Sequence, residues 1–194
     1  MKRNQSYMMA DEVIAIENYV KETAGDIVEI GTYKGGTSAV IAENMIQDRV
    51  LWAVDYYPGN GDYEYYECSL DLLEVTAPKH VYRVFGSSGA VGLYWNKPIG
   101  FLIIDGCHSY ESMSLDFDLW SPWVTSEGVI AVHDGVDING LSLDNRGVVG
   151  QWGVIQKVNE IKAQAEWEAI DEVGTIVFFK RAIHISNVEQ NGED

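Results

Sequence analysis

Apolar positions along the chain change period repeatedly between a helical spacing and short continuous runs. Met9, Val13, Ile16 and Val20 recur at helical intervals and predict an opening helix over about 9–24 that ends near Gly25. Asp26-Ile-Val-Glu-Ile30 is then a short apolar run feeding glycines, which predicts a buried strand. The alternation continues. Thr37–Gln47 reads as a helix, Val50–Val54 as a strand stopping at Asp55, Glu64–Val75 as a helix and His80–Phe85 as a strand. A short helix leads to strand Gly100–Ile104, a helix from about Tyr110 to Trp120, and strand Gly128–Val132. After a long glycine-containing loop, Gly150–Ala165 predicts a helix, and Trp167–Ile170 with Thr175–Phe179 a closing hairpin across Glu172–Gly174. Strands alternating with helices predict an α/β fold, a parallel sheet covered on both faces, with ligands at the carboxyl ends of its strands. No repeat or linker divides the sequence. One domain over 1–194 is expected, with only the polar tail 186–194 frayed.

Composition narrows the class. At 194 residues, with 46% hydrophobic and 22% charged residues, the chain can bury one core without disulfides or a structural metal. Cys68 and Cys107 stand 39 positions apart, with no zinc-ligand spacing and no disulfide framework. A reducing cytoplasm and two buried thiols are expected. A formal charge of −17 repels phosphate backbones and anionic lipid, which argues against nucleic-acid and membrane partners. The segment MKRNQSYMMADE has no apolar stretch of signal-peptide length, and no later run approaches a membrane span. The small-molecule class remains, and a homo-oligomer is compatible with everything so far.

Polar residues gather where the apolar runs stop: Glu29–Gly36 after the first strand, Asp55 after the second, Gly86-Ser-Ser88 after the third, Asp105-Gly-Cys-His108 after the fourth, His133-Asp134 after the fifth. Each alone reads equally well as a turn or helix cap. Together they predict a site. Glu-Ile-Gly-Thr-Tyr-Lys-Gly-Gly bends a strand into a helix and lets backbone approach a ligand, but it lacks the Gly-x-Gly-x-x-Gly dinucleotide spacing. Asp55, 24 positions beyond Gly31, is placed to accept both hydroxyls of a ribose. Glu29 just before the first glycine, with no pyrophosphate pattern, favours S-adenosylmethionine, whose ammonium and sulfonium are cations that carboxylates offset. Glu29, Gly31, Tyr33, Gly35, Gly36, Thr37, Asp55, Ser87 and Asp105 are the expected cofactor contacts.

IVEIGTYKGGTSAVIAENM, LWAVDYYPG and FLIIDGCHSYESMSLDFDLWSPWVTSEGVIAVHDG resemble the class I S-adenosylmethionine-dependent methyltransferases. The nearest likeness is to the branch of macrolide-sugar O-methyltransferases and cephalosporin-hydroxylase-like proteins, and it runs from about residue 25 to 180. The specific part is Asp-Gly-x-His-Ser-Tyr-Glu, followed by Asp-x-x-x-Trp-x-Pro and a distal His-Asp. The resemblance implies a Rossmann-like, seven-stranded, mostly parallel sheet with an antiparallel last strand. It also implies methylation of a hydroxyl assisted by a divalent cation on Asp105 and Asp134, with His108 as general base. His133 stands where relatives often carry a second carboxylate. Imidazole is an uncommon ligand for magnesium, so His133 is either a support behind the ligands or a third ligand at a site that favours manganese, iron or zinc.

An alcohol that keeps its proton is a poor nucleophile even toward a sulfonium methyl. A cation at its oxygen and a base beside it address that directly. The expected activity is therefore transfer of a methyl group to a hydroxyl of a small molecule such as a sugar or glycosylated metabolite. Two alternatives are a nucleoside-binding regulatory protein without catalysis, which the presence of Asp105, His108 and Asp134 disfavours, and a nicotinamide-dependent oxidoreductase, which the glycine spacing disfavours. His80 and His184 fall away from the predicted edge, and Trp120, Trp123 and Trp152 are assigned to core or interface. The tyrosine-rich stretch Tyr56–Tyr66 could stack on an adenine, a sugar or an aromatic acceptor, and the long loop 135–150, with Asp144 and Arg146, is a candidate lid.

Overall fold

A computed structural model of the chain describes residues 8–46, 48–56, 80–138 and 151–183. The predicted helix Glu64–Val75, most of the tyrosine-rich stretch, Cys68, Asp144, Arg146, His184 and the tail lie outside the described residues. The first helix, α1 (Ala10–Glu22), starts with Glu12 accepting the Met9 amide at 2.7 Å, so a third-position acid satisfies the helix's own first turn. It stops at Thr23, whose amide and hydroxyl both donate to the Tyr19 carbonyl, at 3.0 and 2.7 Å. Its inward face carries Ala15, Ile16 and Val20, and also the charged Glu12.

Seven strands follow as one sheet: β1 (Asp26–Ile30), β2 (Leu51–Asp55), β3 (Val81–Phe85), β4 (Ile99–Ile104), β5 (Val124–Val132), β6 (Trp167–Val173) and β7 (Ile176–Arg181). Their spatial order is β3-β2-β1-β4-β5-β7-β6. The first five are mutually parallel, and β7 enters antiparallel to both β5 and β6. The expected seven-stranded sheet with a reversed last strand is present. Between strands lie α2 (Gly36–Asn44), the short α3 (Ser88–Gly92), α4 (Tyr110–Trp120) with a 3-10 turn at Ser121–Trp123, and α5 (Gln151–Lys162).

Alternation along the central strands divides the core in two. Val28, Leu102, Ile104 and Ile130 face Met113, Phe117, Trp120 and Val158 of α4 and α5 on one side. Ile27, Phe101, Ile103 and Ala131 face Ile16, Val20 and Ile41 of α1 and α2 on the other. Every residue of β4 is buried, as a central parallel strand requires. At about 25 cal/mol per Å² of apolar surface, this double burial is the main stabilising term.

Several boundaries differ from the sequence reading. Helix α2 ends at Asn44 rather than Gln47, because Met45 turns extended and the Asn44 side chain bonds back to the Val40 carbonyl at 2.8 Å. Strand β5 begins at Val124, four residues before the predicted Gly128, with a register shift against β4. The hairpin turn is only Gly174-Thr175, made possible by a left-handed Gly174 at φ 58°, so β6 runs through Glu172 and Val173. Trp120 is fully buried, whereas Trp123 and Trp152 are 37% and 45% exposed and belong to the surface.

Candidate active site

The sheet ladder continues one residue past the strand ends, and this aligns the polar groups on one edge. Gly31 donates to the Val54 carbonyl at 3.0 Å, Gly86 to Asp55 at 3.1 Å, Asp105 to Ile30 at 2.9 Å and His133 to Ile104 at 3.1 Å. The strand order reverses between β1 and β4, where ligands of such sheets bind. A cavity of about 630 Å³ opens there. Gly31, Tyr33, Asp55 and Ser87 line one part of it, and Asp105, His108, His133 and Asp134 another. This volume lies within the range of small-molecule sites.

Two glycines fix where the reactive side chains stand. Gly31 has φ 89°, and a Cβ there would lie 2.0 Å from the Asp105 carbonyl oxygen. Only glycine lets the end of β1 close against Asp105. In α5, a Cβ on Gly153 would lie 2.3 Å from the Tyr110 amide nitrogen and 2.7 Å from the His108 carbonyl oxygen, so that helix is pressed against the segment bearing His108. Ser109 caps α4 by accepting the Ser112 amide at 3.2 Å, which places His108 one residue before a helix start.

One side of the cavity is organised by Asp55, whose Oδ2 accepts the Tyr33 amide at 2.7 Å. Tyr33 holds a left-handed φ of 46°, which turns its amide toward that carboxylate. Gly35 caps α2 at φ 79°, and Gly36 and Thr37 begin that helix; the cavity wall is formed without them. Glu29 is also placed apart from the cavity. It is 1% exposed and accepts the Ser38 hydroxyl, a contact that ties β1 to α2. Burial pushes its carboxyl up to about 8, against the Ser38 bond that favours the charge, and the fields of Asp105 and Asp55 push the same way as burial. Asp55 and Asp105 line the cavity, and Glu29 is set back from it.

On the other side, ligand atoms of Asp105, His108 and Asp134 all lie within 4.8 Å of one another. His108 Nε2 stands 3.3 Å from Asp134 Oδ2. The two carboxylates are oxygen donors suited to a divalent cation such as magnesium or manganese, and the His108 imidazole stands beside them. The sequence left His133 either as a third ligand or as a support behind the ligands; the structure groups His108 with the two aspartates and sets His133 behind them. His133 Nδ1 lies 3.1 Å from Asp105 Oδ1 and 3.3 Å from Asp134 Oδ2, buried and aligned for a hydrogen bond with neither. Burial works against charge on this ring, but the Asp105 and Asp134 carboxylates outweigh it and push it up to about 11.

Sequence reasoning missed three participants. Cys107 is exposed and lines the cavity rather than being buried, with a hydrogen bond to the Ser112 side chain drawing its thiol below the usual value. Glu12 and Thr175, far apart in the chain, meet behind His133, with Thr175 donating its amide to Glu12 at 2.7 Å. No local pattern joins a first-turn acid to a hairpin threonine; only the fold does.

A family model described as a methyltransferase domain matches residues 28–135, more than half of the chain. Among solved structures, the O-methyltransferase NovP is similar at 17% identity and TM-score 0.70, covering 92% of this chain and 83% of that one. The O-methyltransferase TomG from Streptomyces achromogenes, involved in tomaymycin synthesis and solved with S-adenosylmethionine, is similar at 15% identity and TM-score 0.69, covering 90% and 81%. An O-methyltransferase from Bacillus cereus in complex with S-adenosylhomocysteine is similar at 14% identity and TM-score 0.68, covering 90% and 82%. At these identities the likeness is one of fold.

Proposed function

This chain belongs to the methyltransferase domain family, of the class I S-adenosylmethionine-dependent kind, and we propose that it methylates a hydroxyl of a small molecule such as a sugar or glycosylated metabolite. The observation that carries the proposal is the convergence of Asp105, His108 and Asp134 beside a cavity whose other part holds Asp55.

Asp55 accepts the ribose hydroxyls, its carboxylate already oriented by the Tyr33 amide. The tight passage at Gly31 leaves the methionine portion against backbone, close to the Asp105 carboxylate that offsets its positive charge. His108 takes the acceptor's proton at Nδ1, while Nε2 faces Asp134, which orients the ring and stabilises its charged form. The acceptor oxygen then forms a bond to the methyl carbon as the carbon–sulfur bond breaks, leaving S-adenosylhomocysteine. Asp105 and Asp134 would hold a divalent cation, magnesium or manganese, whose chemistry there is to lower the pKa of the acceptor hydroxyl. The His108–Asp134 pair also supports a metal-independent reading, since an imidazole backed by a carboxylate can remove the proton without further charge.

No described helix is long and apolar enough to cross a membrane. With a net charge of −17, small uncharged or cationic acceptors suit the site better than nucleic acid or anionic lipid. The test is incubation with methyl-labelled S-adenosylmethionine and a panel of hydroxylated sugars, glycosides and phenols, read by mass spectrometry. Label in an oxygen-linked methyl group supports the proposal; label only on nitrogen or carbon overturns it.

A further inference from the structure

Behind the Asp105–His108–Asp134 cluster, α1 supplies a carboxylate that no part of the reaction uses directly. Glu12 is 1% exposed, and an ionisable group buried that far must have partners. It has them on two sides. Oε1 accepts the Thr175 amide at 2.7 Å and its hydroxyl at 2.9 Å, and Oε2 accepts the Met9 amide at 2.7 Å. Oε2 also stands 3.5 Å from His133 Nε2.

The Thr175 and His133 contacts lead on to Asp134. The Thr175 hydroxyl accepts the Asp134 amide at 3.3 Å, and the Thr175 carbonyl accepts the Gly135 amide at 2.8 Å. These bonds hold Asp134 in a left-handed conformation, φ 58°, which a non-glycine residue keeps only when its surroundings enforce it. The His133 ring has carboxylates at both nitrogens: Glu12 at Nε2, Asp105 and Asp134 at Nδ1. Glu12 faces the far edge of the ring, and Asp105 and Asp134 face its near edge. A helix cap alone would not require this burial, since capping carboxylates ordinarily sit at the surface.

We propose that Glu12 is a positioning residue for methyl transfer, fixing the His133 ring directly and the Asp134 backbone through Thr175, so that Asp105 and Asp134 present a fixed pair of carboxylates to the cavity. The inference rests on reading Asp105, His108 and Asp134 as the reactive cluster. Its structural half, the hold on His133, can be measured without any turnover.

The experiment compares the parent with Glu12→Gln, a near-isosteric change that removes the charge facing His133. In the parent, proton NMR should show a slowly exchanging, downfield Nε2 proton on His133, assigned by its loss in His133→Gln. In Glu12→Gln that signal should vanish, kcat should fall about tenfold or more, and the S-adenosylmethionine Kd should stay within about threefold. In a His133→Gln background the same change should cost less than about twofold, because the residue acts through that ring. An unchanged His133 signal in Glu12→Gln overturns the proposal whatever the activity. Parallel losses of melting temperature, cofactor affinity and kcat also overturn it, since Glu12 would then only anchor α1. Absence of methyl transfer in the parent removes the catalytic reading instead, and the ring signal still decides the positioning claim. If Glu12→Gln does not fold, Thr175→Val tests the second arm: kcat should fall severalfold with the His133 signal retained, and an unchanged kcat overturns the proposal.

Discussion

His108 Nε2 lies 3.3 Å from Asp134 Oδ2, although the two residues follow different strands and stand 26 positions apart in the chain. The pairing exists because β4 and β5 run parallel in register, Ile104 opposite Val132, so that the loops leaving both strands start at the same height. His108→Gln removes the base but keeps a polar side chain of similar reach. The rate should fall by roughly 10² or more while S-adenosylmethionine affinity holds, because the loss of a positioned base carries that magnitude. Single-turnover kinetics beside calorimetry check it, and an unchanged rate would take His108 out of the chemistry.

Asp55 supplies the second prediction. Asp55→Ala deletes both the ribose acceptor and the partner of the Tyr33 amide, 2.7 Å away. Loss of charge-assisted bonds worth about 1.5 to 3 kcal/mol should weaken S-adenosylmethionine binding by about one to two orders of magnitude. Calorimetry on the folded variant is the measurement, and parent-like affinity would refute the ribose assignment.

Gly31 behaves differently from what a strand-end glycine in a ligand loop suggests. A Cβ there would strike the Asp105 carbonyl oxygen at 2.0 Å, in a backbone conformation of φ 89°. Gly31→Ala should therefore lower melting temperature and cofactor affinity together. Lost affinity with an unaltered melting temperature would restore the simpler steric view.

Glu29 yields a pH prediction. Its carboxyl is raised from 4.5 to about 8 in the folded protein, chiefly by burial, so the folded state favours the protonated form. The raised value makes its contribution to stability largest below about pH 4.5, shrinking as pH climbs toward 8 and fully lost above it. Glu29→Gln carries no proton to lose, so its stability relative to the parent should improve from pH 5 to pH 9. Urea melts at the two pH values measure this, and an equal difference at both would show that the carboxyl does not titrate in that window.

The fold was legible where burial dictates composition. Asp26–Ile30, Ile99–Ile104 and Tyr110–Trp120 announced themselves by runs and spacing because those elements are packed on both faces or along one continuous stripe. The positions of Asp55, Asp105, His108 and Asp134 followed, since strand ends of a parallel sheet fall on one edge. What periodicity does not encode is which way a side chain turns once there. Glu29 lies in a strand whose alternation buries it against Ser38, and His133 stands behind its neighbour, 3.5 Å from Glu12, a residue 121 positions earlier.

The central claim, hydroxyl methylation at the Asp105–His108–Asp134 cluster with cation assistance, is tested most directly by the rate of labelled methyl transfer under graded chelator. The account predicts that chelator suppresses formation of the oxygen-methylated product, and that adding back magnesium or manganese restores it. Undiminished turnover in excess chelator would contradict cation assistance and leave the His108–Asp134 pair as the sole means of removing the acceptor's proton.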